Sequence, residues 1–138
     1  TDLLLGMEAF GRELRRSIPV SGFNYTGSER ELEFPSVAGD VKVWRQYAFD
    51  SGERRLVKKC VIPEYDNATN ADDMFGTIPE GTAFDADSVS FGYLDYDREN
   101  EEYVWSDEWD AAERFRAVRM TVDADGRRYE KTFVLAYE

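Results

Sequence analysis

The side chains of this chain that could carry chemistry are mostly carboxylates. Its 138 residues include 29 acids, 17 bases and no histidine. The commonest general base, every Ser/His or Cys/His nucleophile pair and imidazole metal sites are therefore excluded. No glycine-rich phosphate loop occurs either. Carboxylate pairs serve hydrolases, but 29 acids bring some pairs together by chance, so we expect a protein that is not an enzyme.

Two acidic segments have the residue types of a calcium site. Asp95, Asp97 and Glu99 follow the every-second-residue spacing that opens a calcium loop. However, Asn100 stands where an EF-hand needs glycine, and no helical pattern flanks the segment. The pattern favours a solvated hairpin tip over a cation site. The loop Asp66–Asp73 offers carboxylate and amide oxygens as a second, equally weak candidate, and no other cofactor is expected.

Aromatic residues lie within and after the first acidic segment. Tyr96, Tyr103, Trp105 and Trp109 fall in one neighbourhood, and an aromatic groove there could bind a sugar or a peptide. Packing in a core or between sheets is the interpretation that the pattern favours. The single cysteine, Cys60, lies in an apolar strand-like segment, which predicts a buried and inert thiol.

Charge and hydropathy set the class of protein. The net charge of −12 repels phosphate backbones, so no nucleic-acid partner is expected. Residues 1–138 have the length of one domain, and no apolar run reaches the roughly 20 residues that span a bilayer. The chain begins inside a helical pattern without a methionine, so we expect a processed or trimmed piece of a longer protein.

An amphipathic helix is predicted over residues 2–17. Leu3, Met7, Phe10 and Leu14 recur at helical spacing and form one apolar stripe. Pro19 prevents continuation, so the helix should end near Ser17.

Residues beyond the helix read mainly as strands. Three strands are predicted from alternation or turn signals, at 31–34 (ended by Pro35), 41–49 and 54–62. Residues 63–84 read as a long loop with one helical turn. Alternation resumes at 88–93, and a final hairpin over 118–135 turns at Gly126. About seven strands after one helix predict an α+β domain, with the amphipathic helix packed on antiparallel sheet.

Several segments resemble the J-type minor pseudopilins of bacterial type II secretion, part of the type IV pilin-like superfamily. The run 87–95, with its Val89-Ser90-Phe91-Gly92-Tyr93-Leu94-Asp95 core, leads to Trp105 and then to the strand 116–122. The hairpin 47–59 and the helix end 11–17 are similar to family segments too. The resemblance departs at Phe115 and Arg116, where the family has leucine and proline.

This resemblance implies a pilin-like fold and a periplasmic domain anchored in the inner membrane. A missing N-terminal part would hold the cleaved leader, the N-methylated residue and an apolar helix. The implied partners are the I-type and K-type minor pseudopilins and the major pseudopilin, at the tip of a pseudopilus that supports export of folded proteins. A minor pilin of a type IV pilus has the same architecture and stays open.

The leading hypothesis is therefore an assembly subunit without chemistry of its own. Its interface is predicted on the apolar helix residues Leu3, Leu4, Leu5, Met7, Phe10 and Leu14. Within this set, Phe10 and Leu14, with Ile18, should pack on the sheet, whereas Leu3 to Met7 should face neighbouring subunits. Exposed sheet edges would offer further docking surfaces. The alternative is a small periplasmic module that binds a ligand or calcium through its aromatic and acidic region.

Overall fold

A computed structural model describes residues 2–38, 40–62 and 77–135. These residues form one helix, α1 (Asp2–Arg15), followed by ten strands. The strands are β1 (Tyr25–Gly27), β2 (Glu31–Ala38), β3 (Val41–Asp50), β4 (Arg55–Val61), β5 (Thr77–Asp85), β6 (Ser88–Asp97), β7 (Glu102–Ser106), β8 (Trp109–Ala111), β9 (Ala117–Ala124) and β10 (Arg127–Val134).

The strands form two sheets, and the pairings between their neighbouring strands are antiparallel. The large sheet has the order β5-β4-β3-β2-β1-β8, and the small sheet has the order β10-β9-β6-β7. Their facing sides carry the buried apolar residues, as in other packed sheets. The core therefore lies between the two sheets.

The predicted fold class is wrong. Strands hold 58% of the structure and the single helix is short, whereas a pilin-like fold has a long N-terminal helix packed on a sheet. The sequence predicted about seven strands, whereas the described residues form ten, and the difference has physical causes. Strands β1 and β8 have three residues each, too few for a period of two, and β7 is exposed on both faces.

The predicted loop over 63–84 is also wrong at its end, where β5 begins at Thr77. Its prolines and glycines resemble a turn region, yet β5 is an edge strand of the large sheet, where such residues are tolerated.

Strand β2 continues through Pro35, although the sequence predicted an end there. Pro35 lies opposite Trp44 in the pairing with β3. Its carbonyl oxygen accepts a hydrogen bond from the Ile18 amide at 3.3 Å, on the side away from β3. A strand residue directs its N and its C=O to the same side, so the Pro35 nitrogen also points away from β3. Strand β1 does not pair with β2 at that position, so no strand hydrogen bond is lost because proline lacks an N–H group.

Helix α1 closes the sandwich along one side. The Phe10 ring lies 4.8 Å from Tyr47 of the large sheet and 5.3 Å from Phe133 of the small sheet, between ring centroids. Close approach depends on Gly11, because a Cβ there would lie 2.5 Å from the Phe133 ring. The helix ends at Arg15, two residues before the predicted end, where Arg114 Nη2 donates to the Arg15 carbonyl at 2.8 Å.

Other sequence predictions are confirmed. The turn after β3 is held by Asp50 Oδ1, which accepts the amides of Gly52 and Glu53 at 3.0 and 3.1 Å. The hairpin β9–β10 turns at Asp125 and Gly126, whose φ angles are 53° and 75°. Positive φ at both central residues is the geometry of a type I′ hairpin turn.

Candidate functional site

The predicted interface residues of α1 divide into two groups. Met7, Phe10 and Leu14 are buried in the core and are covered within the monomer. Leu4 and Leu5 are 61% and 67% exposed, and Leu3 is half-buried against the core. Since helix positions repeat every 3.6 residues, Leu4 and Leu5 lie off the face that carries Met7 and Phe10. Of the six predicted interface residues, only these two leucines are largely exposed to solvent.

Two residues near α1 differ from their predicted places. Met7 was expected on the neighbour-facing half of the stripe, but it is only 2% exposed. Ile18 was expected to pack on the sheet, but it is 41% exposed. Its backbone explains the difference, because α1 has already ended and the Ile18 amide bonds to the Pro35 carbonyl.

A shallow cleft of about 350 Å³ lies between the start of α1 and β10. Leu4 and Met7 line it from the helix, and Tyr129 and Lys131 line it from the strand. Its lining thus combines apolar side chains with the charged Glu8, Glu130 and Lys131.

Glu13 fixes α1 to the large sheet. The Tyr47 hydroxyl donates to Glu13 Oε1 at 2.6 Å, and Arg45 Nη1 lies 3.5 Å from Glu13 Oε2. Burial raises the pKa of the Tyr47 hydroxyl above its usual value, and the hydrogen bond and charge of Glu13 raise it further. Both oxygens of Glu13 are thus engaged, so this cluster of titratable groups positions the helix.

The acidic residues Asp95, Asp97 and Glu99 lie at the β6–β7 hairpin tip, which is the interpretation that the sequence favoured. Asp97 Oδ1 accepts the amides of Glu99 and Asn100, and Asp97 Oδ2 accepts Asn100 Nδ2 at 2.8 Å. These bonds, that of the Asn100 side chain first, lower the pKa of the Asp97 carboxyl. The Asp97 carboxylate therefore stabilises the turn between β6 and β7.

The second calcium candidate, Asp66–Asp73, lies outside the described residues. Among the residues that are described, no group of three or more acids, cysteines or histidines is arranged to hold a metal ion.

The four aromatic residues separate into buried and exposed ones. Trp109 is 8% exposed, and its Nε1 donates to the Glu113 carbonyl at 3.2 Å, as the packing interpretation predicts. Tyr103 and Trp105 are 59% and 38% exposed on the outer face of the small sheet, where core packing was expected. For these two the packing interpretation is wrong, because they pair with Leu94 and Tyr96, whose side chains lie on the face opposite the buried Tyr93.

The exposed aromatics form an ordered patch. The Tyr96 and Tyr103 rings meet edge to face at 5.0 Å between centroids. The Arg119 guanidinium lies over the Trp105 ring at 4.2 Å, a cation–π contact. We call Tyr96, Tyr103, Trp105 and Arg119 the aromatic patch. Arg119 was missed by sequence reasoning, since it joins from β9 and nothing in its segment signals a contact with Trp105.

Beside the patch lies a groove of about 540 Å³ on the same sheet face. Ser90, Gly92 and Thr121 line it together with Trp105 and Arg119. The lining combines hydroxyls, a cation and an indole with the carboxylates of Glu29 and Asp107, a mixture that suits recognition of a polar ligand.

Cys60 is buried, as predicted. It is 5% exposed, and desolvation is the main cause that raises its thiol pKa. A protonated and buried thiol is unreactive.

Comparisons with protein-family models and with curated proteins find no match to this chain. Within the described ranges, no helix combines the length and apolar character needed to cross a bilayer.

Proposed function

We propose that this domain is a non-enzymatic assembly subunit that contacts a neighbouring subunit through the first turns of α1. The observation that supports this most is the exposure of Leu4 and Leu5, at 61% and 67%, beside a stripe that is otherwise buried. Two adjacent exposed leucines on a helix that is already anchored form a rigid apolar contact, which needs little ordering on binding.

The finer proposal is a minor pseudopilin at the tip of a type II secretion pseudopilus. Its partners would be the I-type and K-type minor pseudopilins and the major pseudopilin, with the domain in the periplasm on an inner-membrane anchor. This proposal rests on the sequence segments that resemble the J-type family, since the fold class expected from that family is not the one observed. A minor pilin of a type IV pilus is the alternative within the same proposal.

Co-purification with the I-type and K-type ectodomains of the same genome tests the proposal. We expect a stable heterocomplex, weakened about tenfold or more when Leu4→Asp and Leu5→Asp place two charges in the contact. Ile18→Asp, at a 41% exposed position beyond the helix end, is the matched control and should leave binding unchanged.

Failure of the domain to join any heterocomplex with folded partners would overturn the finer proposal. Equal binding by the doubly charged variant and the native chain would overturn the role of Leu4 and Leu5.

A further inference from the structure

The edge of the small sheet formed by β7 is bare. Among the described residues β7 pairs only with β6, and Tyr103, Val104 and Trp105 follow one another at 59%, 37% and 38% exposure. Proteins usually protect an edge strand with charge, proline or a covering element, because unpaired backbone groups attract another strand. The middle of β7 has none of these protections.

The direction of the backbone groups can be derived from β6. The Phe91 amide donates to the Glu29 carbonyl at 2.8 Å, on the side of β6 away from β9. Because N–H groups alternate along a strand, Tyr93, Asp95 and Asp97 direct theirs to the same side, where β7 lies.

Leu94 and Tyr96 must then direct their amides away from β7. The Tyr96 amide agrees, since it bonds to the Asp95 carboxylate at 2.8 Å, beyond the end of the pairing with β9. Trp105 and Tyr103 lie opposite Leu94 and Tyr96. Such pairs exchange no hydrogen bonds, so the N–H and C=O groups of Tyr103 and Trp105 point outward from the sheet.

The side chains of the same two residues make a preformed surface. Trp105 is held by Arg119 at 4.2 Å, and Tyr103 packs against Tyr96 at 5.0 Å. Within the described residues Arg119 has no ion-pair or hydrogen-bond partner, so its contact with Trp105 is its main constraint. Held aromatic rings beside outward backbone groups match the needs of an added strand, which takes affinity from the main chain and specificity from alternate side chains.

The acidic residues around β7 indicate what kind of strand could pair with it. Between Asp95 and Glu108 the chain has seven carboxylates and one base, Arg98, and the acids flank Tyr103–Trp105 on both sides. Antiparallel pairing of two copies along β7 would bring the acidic ends of one strand against those of the other. Like charges at that distance oppose self-pairing.

We propose that the β7 edge binds an extended segment of another protein, in which alternating apolar residues are flanked by lysine or arginine. The segment adds as a fifth strand to the small sheet. Its main chain bonds Tyr103 and Trp105, its apolar side chains lie on the aromatic patch, and its basic ends meet the acidic flanks. The inference rests on the proposed assembly function, because it supplies a second contact and the chemistry of the partner.

Selection of a random peptide library displayed on phage, against the full chain, tests this edge. We expect enriched peptides with alternating apolar residues and basic ends, and NMR should show slower amide exchange at Tyr103 and Trp105 when the peptide is bound. Tyr103→Pro removes one outward donor while sparing the pairing with β6, so it should weaken the selected peptide about tenfold or more.

Two further variants keep the test decisive. Tyr103→Lys changes a well exposed side chain, so it should leave the fold intact and weaken binding to a similar extent. It replaces the proline variant as the test if that variant is poorly folded. Val134→Lys puts the same charge at a 62% exposed site on β10, the opposite edge of the small sheet, and should leave binding unchanged.

Four outcomes would overturn the inference: no enrichment, enrichment of acidic peptides, equal weakening by Tyr103→Lys and Val134→Lys, or β7 protection that arises from self-association. Its failure is distinguishable from that of the assembly proposal. If peptides bind at β7 but no pseudopilin heterocomplex forms, the inference about the β7 edge is supported and the assembly proposal is not. If a heterocomplex forms and the Tyr103 variants do not weaken it, only the assembly proposal is supported.

Discussion

The two edges of the small sheet differ in which apolar side chains they expose. Strand β10 exposes Arg127, Arg128, Glu130 and Lys131 over its two faces, and its Phe133 is 1% exposed beneath α1. Strand β7 instead exposes Tyr103, Val104 and Trp105. Both edges have aromatic residues, but Phe133 of β10 is buried in the core, whereas Tyr103 and Trp105 of β7 are exposed to solvent. The residue types of an edge strand therefore do not show which of its side chains are exposed, because coverage by the rest of the fold decides that.

Topology explains why α1 covers Phe133 of β10 while no helix of the described residues reaches β7. Helix α1 reaches β10 because Gly11 lets it lie against the Phe133 ring. The β6–β7 hairpin extends past the core, since β6 pairs with β9 only as far as Tyr93 and with β7 from Tyr93 onward. The hairpin tip has no third strand beside it, and no helix or strand of the described residues covers its outer face.

The largest expected effect separates one aromatic residue of each edge. Phe133→Ala should lower the free energy of unfolding by about 3–5 kcal/mol, because it leaves a cavity between α1 and the sheet. Trp105→Ala should cost under about 1 kcal/mol, mainly the contact with Arg119. Urea denaturation of the two variants measures both values, and similar losses would contradict the contrast between a sealed and an open edge.

Alkaline pH should lower the free energy of unfolding of the domain. Burial, aided by Glu13 at Tyr47 and by the charge of Glu31 at Tyr93, raises the pKa of both hydroxyls. A raised folded-state pKa means that stability is fully present below the unfolded pKa of about 10 and falls as pH rises above it. Each tyrosine should then remove about 1.4 kcal/mol per pH unit.

Urea midpoints measured between neutral and strongly alkaline pH check this slope. Tyr47→Phe is the matched variant, and it should remove one tyrosine's part of the slope, about 1.4 kcal/mol per pH unit, while costing about 1–2 kcal/mol at neutral pH for the lost bond to Glu13. The rest of the slope should remain, because burial also raises the pKa of the Tyr25 hydroxyl. A slope that Tyr47→Phe leaves unchanged would show that this hydroxyl does not carry the effect.

Much of the fold could be predicted where apolar residues alternate along a strand that has one buried face. Alternation located β3, β6, β9 and β10, and glycine chemistry located the turn at Gly126. The short strands β1 and β8 could not be found in this way, because their three residues are held by long-range pairing with each other. The pilin-like fold was wrong for a similar reason: short similar segments carry no information on how strands are ordered into two sheets.

The candidate site was partly visible in the sequence. Leu4 and Leu5 were named with the apolar helix residues, but the pattern did not show that only they remain exposed, since burial depends on which sheet faces the helix. The aromatic run was noticed and interpreted as core. Alternation indicates which residues share a face, whereas the coverage of that face is decided by elements distant in sequence, such as Arg119 on β9.

The smallest expected effect concerns the support of the open edge. Asp97 accepts the amides of Glu99 and Asn100 and so holds the turn that places β7 beside β6. Asp97→Ala should speed amide exchange in β7 several-fold while leaving exchange in β10 and the global urea midpoint unchanged, because hairpin tips open locally. Glu99→Ala is the matched control, since it removes the same charge from the same turn without removing an acceptor of these bonds.

Acidification should act on the same turn in the same direction. Because the bonds from Asn100 lower the Asp97 pKa, the support that Asp97 gives is present above its unfolded pKa of about 4 and is lost as pH falls through the lowered folded value. Hydrogen exchange at β7 and β10 at several acidic pH values measures this, with rates corrected for intrinsic exchange. If Asp97→Ala and Glu99→Ala loosen β7 equally, the turn is held by its backbone, and the open edge keeps its shape without a carboxylate.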